Sequence, residues 1–369
     1  MPKPIDPKTL RSVLIVRLSA IGDVIHALPV LAALRKALPE ARLGWIVEEL
    51  SAPLLQHHPD LDKVYVIPKK RWKKDFRRLF RSEIQPYFRT VKADGWDAAV
   101  DLQGLSKSGL VAWASGARVR VGYGDKDGRE INKLFTNRKV SPPASARHVV
   151  ERNLSLLRGL GIEPDMAAAG RLGILDEERR AIGEKLKAEG WDGATPLLAL
   201  NPGAGWSSKR WPPENFAEAA APICEGGAFA PVILWGPGEE ALRDAVAERL
   251  RALEIAPIVA PRTSVRELAV LISICGLFLG GDTGPTHLAG LLGVPVVSIF
   301  GASDGHRNRP WPVAAGPIIQ QEHLPCVPCW KTVCPLAAEE NLRCLRTLEP
   351  LQVTEAAREA ISRGPQKSL

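Results

Sequence analysis

Apolar and polar positions alternate along this chain in a repeating order of short apolar strand, tight turn and amphipathic helix. Residues 12–18, SVLIVRL, are β-branched and apolar and predict a strand, SAIGD at 19–23 a turn, and residues 24–38 show helical apolar spacing. Further strands are predicted at 42–48, 63–68, 96–102 and 118–123, mostly separated by helical or basic segments. A helix over about 147–160 ends at Gly161. Residues 161–178 are rich in small residues and poor in core periodicity, which predicts a linker. The alternation restarts with strands at 196–203, 231–236 and 257–260, interleaved with helices near 214–225, 239–253 and 265–275. It closes with strand, glycine-rich turn, short helix and strand over 277–301. Such alternation predicts an α/β protein with two doubly wound parallel sheets, and no fixed-period repeat suggests a solenoid.

The 369 residues suit two domains, and hydrophobic content of 45% with charged content of 24% is that of a globular protein. No stretch of 18 apolar residues predicts a bilayer span, and the start, MPKPIDPKTLRS, leads into an apolar run that Arg17 interrupts. The cytoplasm is therefore the expected compartment. Lys and Arg exceed Asp and Glu by 49 to 41, concentrated in KKRWKK at residues 69–74 and the arginines that follow. That run is compatible with a solvated surface and with an anionic partner. No zinc-finger, RNP or helix-turn-helix pattern accompanies it, which argues against nucleic acid.

Three strand-end turns are candidates for chemistry, because α/β folds hold ligands there. In SAIGDVIH, Gly22 and Asp23 follow the first strand; an Asp in this place can cap a helix or act as a base. The absence of G-x-G-x-x-G weighs against a dinucleotide site and a nicotinamide-dependent oxidoreductase. In NPGAGWSSKRWPPENF, Ser207, Ser208 and Lys209 can neutralise a diphosphate, although the order is not that of a Walker A loop. In GGDTGPTHLAG, glycines allow close backbone approach while Asp282 and His287 supply polar groups.

On these motifs, and on DLQGLSKSG and REINKLFTNRKV, the chain resembles the family 9 glycosyltransferases, the ADP-heptose:lipopolysaccharide heptosyltransferases, over nearly its whole length. KKRWKK, the VEE at 47–49 and the REINKLFTNRK block are more similar to heptosyltransferase I than to II. The resemblance implies a GT-B fold, two Rossmann-like domains facing across a cleft. An acceptor-binding domain is expected over 1–170, a nucleotide-sugar domain over 171–350, and a C-terminal helix from 351 packing back on the first domain. It further implies an inverting, metal-independent transfer of heptose from ADP-heptose to a Kdo-lipid A acceptor, with Asp23 as base and Lys209 stabilising the departing diphosphate. Donor binding falls to Gly22, Ser207, Ser208, Glu239, Asp282, Thr283, Gly284 and His287, with Glu240 an alternative to Glu239 and 261–268 as adenine neighbourhood. Acceptor contacts fall to Lys70, Arg71, Lys73 and Arg129, together with peripheral attachment to the cytoplasmic face of the inner membrane. Heptosyltransferase II, another family 9 transferase, and a non-catalytic sugar-nucleotide or glycolipid binder are the alternatives.

Two features stand apart. Asp125-Lys126-Asp127 has D-x-D metal spacing, which arises readily by chance in a charged chain. Cys326, Cys329, Cys334 and Cys344 are spaced C-x2-C-x4-C-x9-C, compatible with a structural metal, free thiols or a disulfide. Similar cysteine segments, closer to heptosyltransferase II, pull against the heptosyltransferase I resemblance.

Overall fold

The computed structural model describes residues 5–124, 128, 130–312 and 316–364. Arg129 and the D-x-D at 125–127 lie outside them. The chain divides into two compact units, Met1–Gly173 and Ile174–Leu369.

The first unit holds β1 (Ser12–Val16), β2 (Arg42–Glu48), β3 (Lys63–Ile67), β4 (Ala98–Asp101), β5 (Val119–Tyr123) and β6 (Arg138–Val140). They form one parallel sheet in the order β3-β2-β1-β4-β5-β6. Every residue of β1 and β4 is buried, as expected of central parallel strands covered on both faces. Gly44 on β2 is required by packing, since a Cβ there would collide with the buried Trp96 ring. The helix expected over 24–38 is two, Ile21–Ile25 and Leu28–Ala37. Pro29 explains the break, because its missing N–H is tolerated only in the first turn of the second helix. Gly161 ends its helical segment at φ 75°, the left-handed stop anticipated there.

The second unit holds β7 (Leu197–Asn201), β8 (Ala230–Ile233), β9 (Ile258–Val259), β10 (Cys275–Gly281), β11 (Val296–Phe300) and β12 (Ile318–Gln320). Its parallel order is β12-β11-β10-β7-β8-β9. The C-terminal helix, expected to return to the first domain, lies in this unit. Val353, Ala357 and Ala360 of Pro350–Arg363 join the core around Phe216 and Ile299, and the Thr354 hydroxyl donates to the Ala219 carbonyl at 2.9 Å. Its apolar stripe is buried by helix Pro213–Cys224, whose alanines leave room for close approach.

In each sheet the strand order reverses once, between β1 and β4 and between β7 and β10. The carboxyl ends of these strand pairs are where an open α/β sheet forms a ligand crevice.

Candidate active site

In the first unit, the turn leaving β1 places Gly22 and Asp23 in helix Ile21–Ile25. The Asp23 carboxylate accepts from the Ala20 N–H at 3.1 Å, so the capping role read from the sequence is real. The same carboxylate meets the Arg17 guanidinium at 2.7 Å, and its side chain is 45% exposed. Arg17 is itself buried and also donates to the Leu102 carbonyl just beyond β4, so a fixed cation orients a solvent-facing carboxylate.

Beside it, the buried Glu48 at the end of β2 holds two ammonium groups, Lys69 at 2.7 Å and Lys107 at 3.2 Å. Burial works to raise the Glu48 pKa, but hydrogen bonds from Lys69 and Lys107 outweigh it and keep the carboxyl below its ordinary value. Lys107 also reaches the Ser19 hydroxyl at 3.5 Å. Asp101, fully buried at the end of β4, anchors the following turn by accepting from the Gln103 and Gly104 N–H groups, the Ser108 hydroxyl and the Asn132 amide. Of the acceptor candidates, Lys70 and Lys73 are exposed, while Arg71 is paired with Glu83.

In the second unit, the turns after β7 and β10 bring Lys209 and Asp282 together, Nζ to carboxylate, at 2.6 Å. Lys209 also lies over the Trp206 ring at 4.5 Å. The Asp282 side chain is only 4% exposed and is further met by His287 Nε2 at 3.2 Å and the Ser303 hydroxyl at 2.5 Å. Burial pushes its pKa up, yet His287 and Lys209 more than reverse that and hold it well below the usual carboxylate range. Thr283 caps helix Gly284–Leu291 and accepts from the Asn201 amide at 3.2 Å. Glu239 stands at the N-cap position of the helix after β8, and its carboxylate accepts from the Gly236 N–H at 2.8 Å. Its carboxylate lies where a side chain on Gly203 would stand, so the β7 and β8 turns meet at this point.

Ser207 and Ser208, read in the sequence as diphosphate-binding, make contacts within the protein. Their hydroxyls donate to carbonyls of residues 331–332, Ser208 to Lys331 at 2.5 Å and Ser207 to Thr332 at 3.3 Å. They fasten the Lys209 turn to the cysteine-bearing segment. There Cys326, Cys329, Cys334 and Cys344 are free thiols lining a cavity of about 300 Å³ with Ser208 and Ala302. Burial, aided by the neighbouring sulfurs, pushes the Cys344 thiol up to about 11. Among the described residues no three His, Cys, Asp or Glu side chains are grouped to hold a metal ion.

Ser303, Asn201, Arg17, Glu48 and Lys107 were given no site role from the sequence, although Glu48 and Lys107 fall in motifs that carry the family resemblance. The available signal was positional: Arg17, Glu48, Asn201 and Ser303 lie at or just beyond the carboxyl end of a sheet strand, and Lys107 in the first turn of the helix after β4.

The sequence model of glycosyltransferase family 9 (heptosyltransferase) matches residues 84–339. The chain is 32% identical over 351 residues to lipopolysaccharide heptosyltransferase 1 of Pseudomonas aeruginosa, covering 93% of each protein. The chain belongs to glycosyltransferase family 9. This transferase is also 26% identical to the lipopolysaccharide core heptosyltransferase OpsX of Haemophilus influenzae, over 84% of both chains. Its fold matches a family 9 glycosyl transferase from Veillonella parvula with a TM-score of 0.79, at 23% identity over 96% of this chain and 98% of that one. It matches the E. coli heptosyltransferase WaaC with ADP at 0.73, with 22% identity over 95% and 99%. The α/β architecture of the transferase is thus that of the GT-B heptosyltransferases.

Proposed function

We propose that this transferase moves heptose from ADP-heptose to a Kdo residue of the lipopolysaccharide inner core with inversion at the anomeric carbon. The observation that carries the reading is the Lys209–Asp282 pair at the switch point of the second sheet, in a chain of this family. In the reaction, Asp23 takes the proton of the acceptor hydroxyl as its oxygen bonds to the anomeric carbon, and the bond from that carbon to the ADP oxygen breaks. A half-exposed carboxylate oriented by Arg17 suits a base that must be reached by a bulky acceptor. The leaving electron pair ends on the diphosphate, where the Lys209 ammonium meets the added charge in place of a metal ion. Asp282 holds heptose hydroxyls beside Thr283, Gly284 and His287, and Glu239 holds the ribose, with 261–268 next to adenine.

Lys70, Arg71, Lys73 and Arg129 supply positive charge for an anionic acceptor. Association with the cytoplasmic face of the inner membrane follows from a lipid-linked acceptor, the basic segment at 69–74, and the lack, among the described residues, of a helix long and apolar enough to cross a bilayer.

A second reading differs in acceptor only. It is the heptosyltransferase II reading, with an already heptosylated acceptor; similarity to lipopolysaccharide heptosyltransferase 3 of E. coli, 28% identical over 79% of this chain, supports weighing a family 9 relative other than heptosyltransferase 1. The test is binding of ADP, UDP, GDP and NAD by calorimetry without added metal, then turnover of ADP-heptose on bare and on heptosylated Kdo acceptors. Selective ADP binding with transfer to the bare acceptor is expected. Transfer only to the heptosylated acceptor moves the protein to the second reading, and preference for another nucleotide refutes both.

A further inference from the structure

The first unit carries a concentration of exposed apolar side chains outside the groups assigned above. Leu110 and Trp113, 47% and 57% exposed, lie on helix Ser106–Ala114, and Ile131 and Leu134, 54% and 71% exposed, lie at the short turn Asn132–Leu134. These two segments are fastened to one another. The Ser106 N–H donates to the Glu130 carboxylate at 3.0 Å and the Ile131 N–H to the Ser106 hydroxyl at 3.3 Å. The buried Asn132 amide donates to Asp101 at 2.6 Å and to the Leu105 carbonyl at 2.8 Å. Gly109 lets them approach, because a Cβ there would strike the Asn132 amide and crowd the Phe135 side chain.

Four large apolar side chains therefore stand in water on a base fixed by buried polar bonds, and exposed apolar patches on soluble folds mark interaction surfaces. Lysines stand at their border, with the Glu130 carboxylate beside Ile131. Lys133 is exposed between Ile131 and Leu134. Lys107, one helical turn before Leu110, shares Glu48 with Lys69, which ties the basic helix Lys69–Lys74 to the patch-bearing helix. Trp, Leu and Ile rimmed by lysines is the composition that enters the headgroup region of an anionic bilayer, where apolar burial and attraction to lipid phosphates add.

We propose that this face of the first unit docks on an anionic membrane, with Leu110, Trp113, Ile131 and Leu134 inserted among headgroups and Lys133 and the Lys69–Lys74 helix against the lipid phosphates. The inference rests on the reading that the acceptor is lipid-linked, and it names the surface that reaches it. Its test is co-sedimentation of the full chain with vesicles of phosphatidylcholine alone and with phosphatidylglycerol added. Trp113→Ser with Leu134→Ser is expected to lower partition onto anionic vesicles about tenfold or more, with turnover of a deacylated, water-soluble acceptor kept within about twofold. Trp113→Phe with Leu134→Ile is expected to retain binding, which separates lost apolar contact from damage to the fold. Lys133→Glu is expected to weaken binding only to the anionic vesicles.

Wild-type protein that stays in solution, or a double Ser variant that partitions like wild type, overturns the proposal. So does a variant whose sedimentation velocity shows a changed monomer–dimer balance with vesicle binding intact, because the patch is then a self-association face. Failure of the wild type to glycosylate the soluble acceptor refutes the functional reading instead, and the vesicle result stands independently of it.

Discussion

Lys209→Met tests the second unit's charge pair at its least replaceable member. At 2.6 Å, and with an effective dielectric of about 20, the pair's gross attraction is about 6 kcal/mol. Most of that is offset by the desolvation of both groups, so the measurable quantity is the cost of leaving Asp282 with fewer partners. Asp282 keeps the Ser303 hydroxyl at 2.5 Å and His287 at 3.2 Å, and Lys209 retains 16% exposure. The loss should therefore fall at the low end for a broken buried pair, about 3 kcal/mol, or roughly 6–12 °C in the melting temperature of this unit. The pH dependence has a definite sign. The folded-state pKa of Asp282 is depressed, so its contribution is present above the ordinary carboxylate pKa and is lost as pH falls towards the folded value. Without the ammonium that depression shrinks, so the melting gap between wild type and variant should be widest near neutrality and narrow in acid. Calorimetric melting from pH 7 to well below the ordinary carboxylate pKa, as far into acid as the wild type stays folded, reads this. Turnover, measured alongside, should fall by roughly 10²–10³ if Lys209 meets the leaving diphosphate. Equal melting at pH 7, or a gap that widens in acid, refutes the electrostatic reasoning. Unchanged turnover removes Lys209 from the mechanism.

Asp23→Asn preserves the cap and the size of the side chain; ADP binding should stay within about twofold of wild type while turnover falls by at least 10², and a near wild-type rate in a steady-state assay refutes the base assignment. Ser303→Ala removes a buried hydroxyl bonded to a carboxylate and should cost about 1.5–3 kcal/mol by chemical denaturation, with no loss expected if the bond is dispensable. Asp282→Asn frees the Lys209 charge, so ADP should bind a few-fold more tightly while transfer of heptose falls; weaker ADP binding in calorimetry contradicts that account. Chelation by EDTA should leave turnover within about twofold, whereas a structural metal on the four clustered cysteines predicts about one equivalent of zinc or iron by elemental analysis of freshly purified protein, and none refutes that metal.

The central strands were legible because a parallel strand covered on both faces is buried along its whole length and reads as a nearly continuous apolar run, as β1, β7 and β11 do with one polar residue each. Of the edge strands, β3 and β9 were legible and β6 and β12 were not. β6 and β12 have three half-buried or exposed residues each and carry neither an apolar run nor a clean alternation. The break at Pro29 was hidden because helical spacing continues across it. Lys209 and Asp282 were each visible as strand-end residues, but their meeting depends on β7 and β10 being neighbours, which no local pattern encodes. The supporting residues were harder still. Arg17 ends an apolar run, and Glu48 has the charge of a surface residue. Only the three-dimensional placement of Asp23, Lys69 and Lys107 gives them partners.

What the sequence could not separate at all is the difference between its two site aspartates. Asp23 and Asp282 both follow an apolar strand and a small-residue turn, yet the first is 45% exposed and the second 4%. A carboxylate that must accept a proton from a large acceptor has to be reachable, whereas one that positions a sugar gains from being fixed by several donors at once. Asp282 has three such side chains, from Lys209 after β7, His287 on the helix after β10 and Ser303 after β11. Asp23 has a buried guanidinium on one side and solvent on the other. Those surroundings support the proposed division into base and positioning group, which the family resemblance suggested and residue type alone does not distinguish.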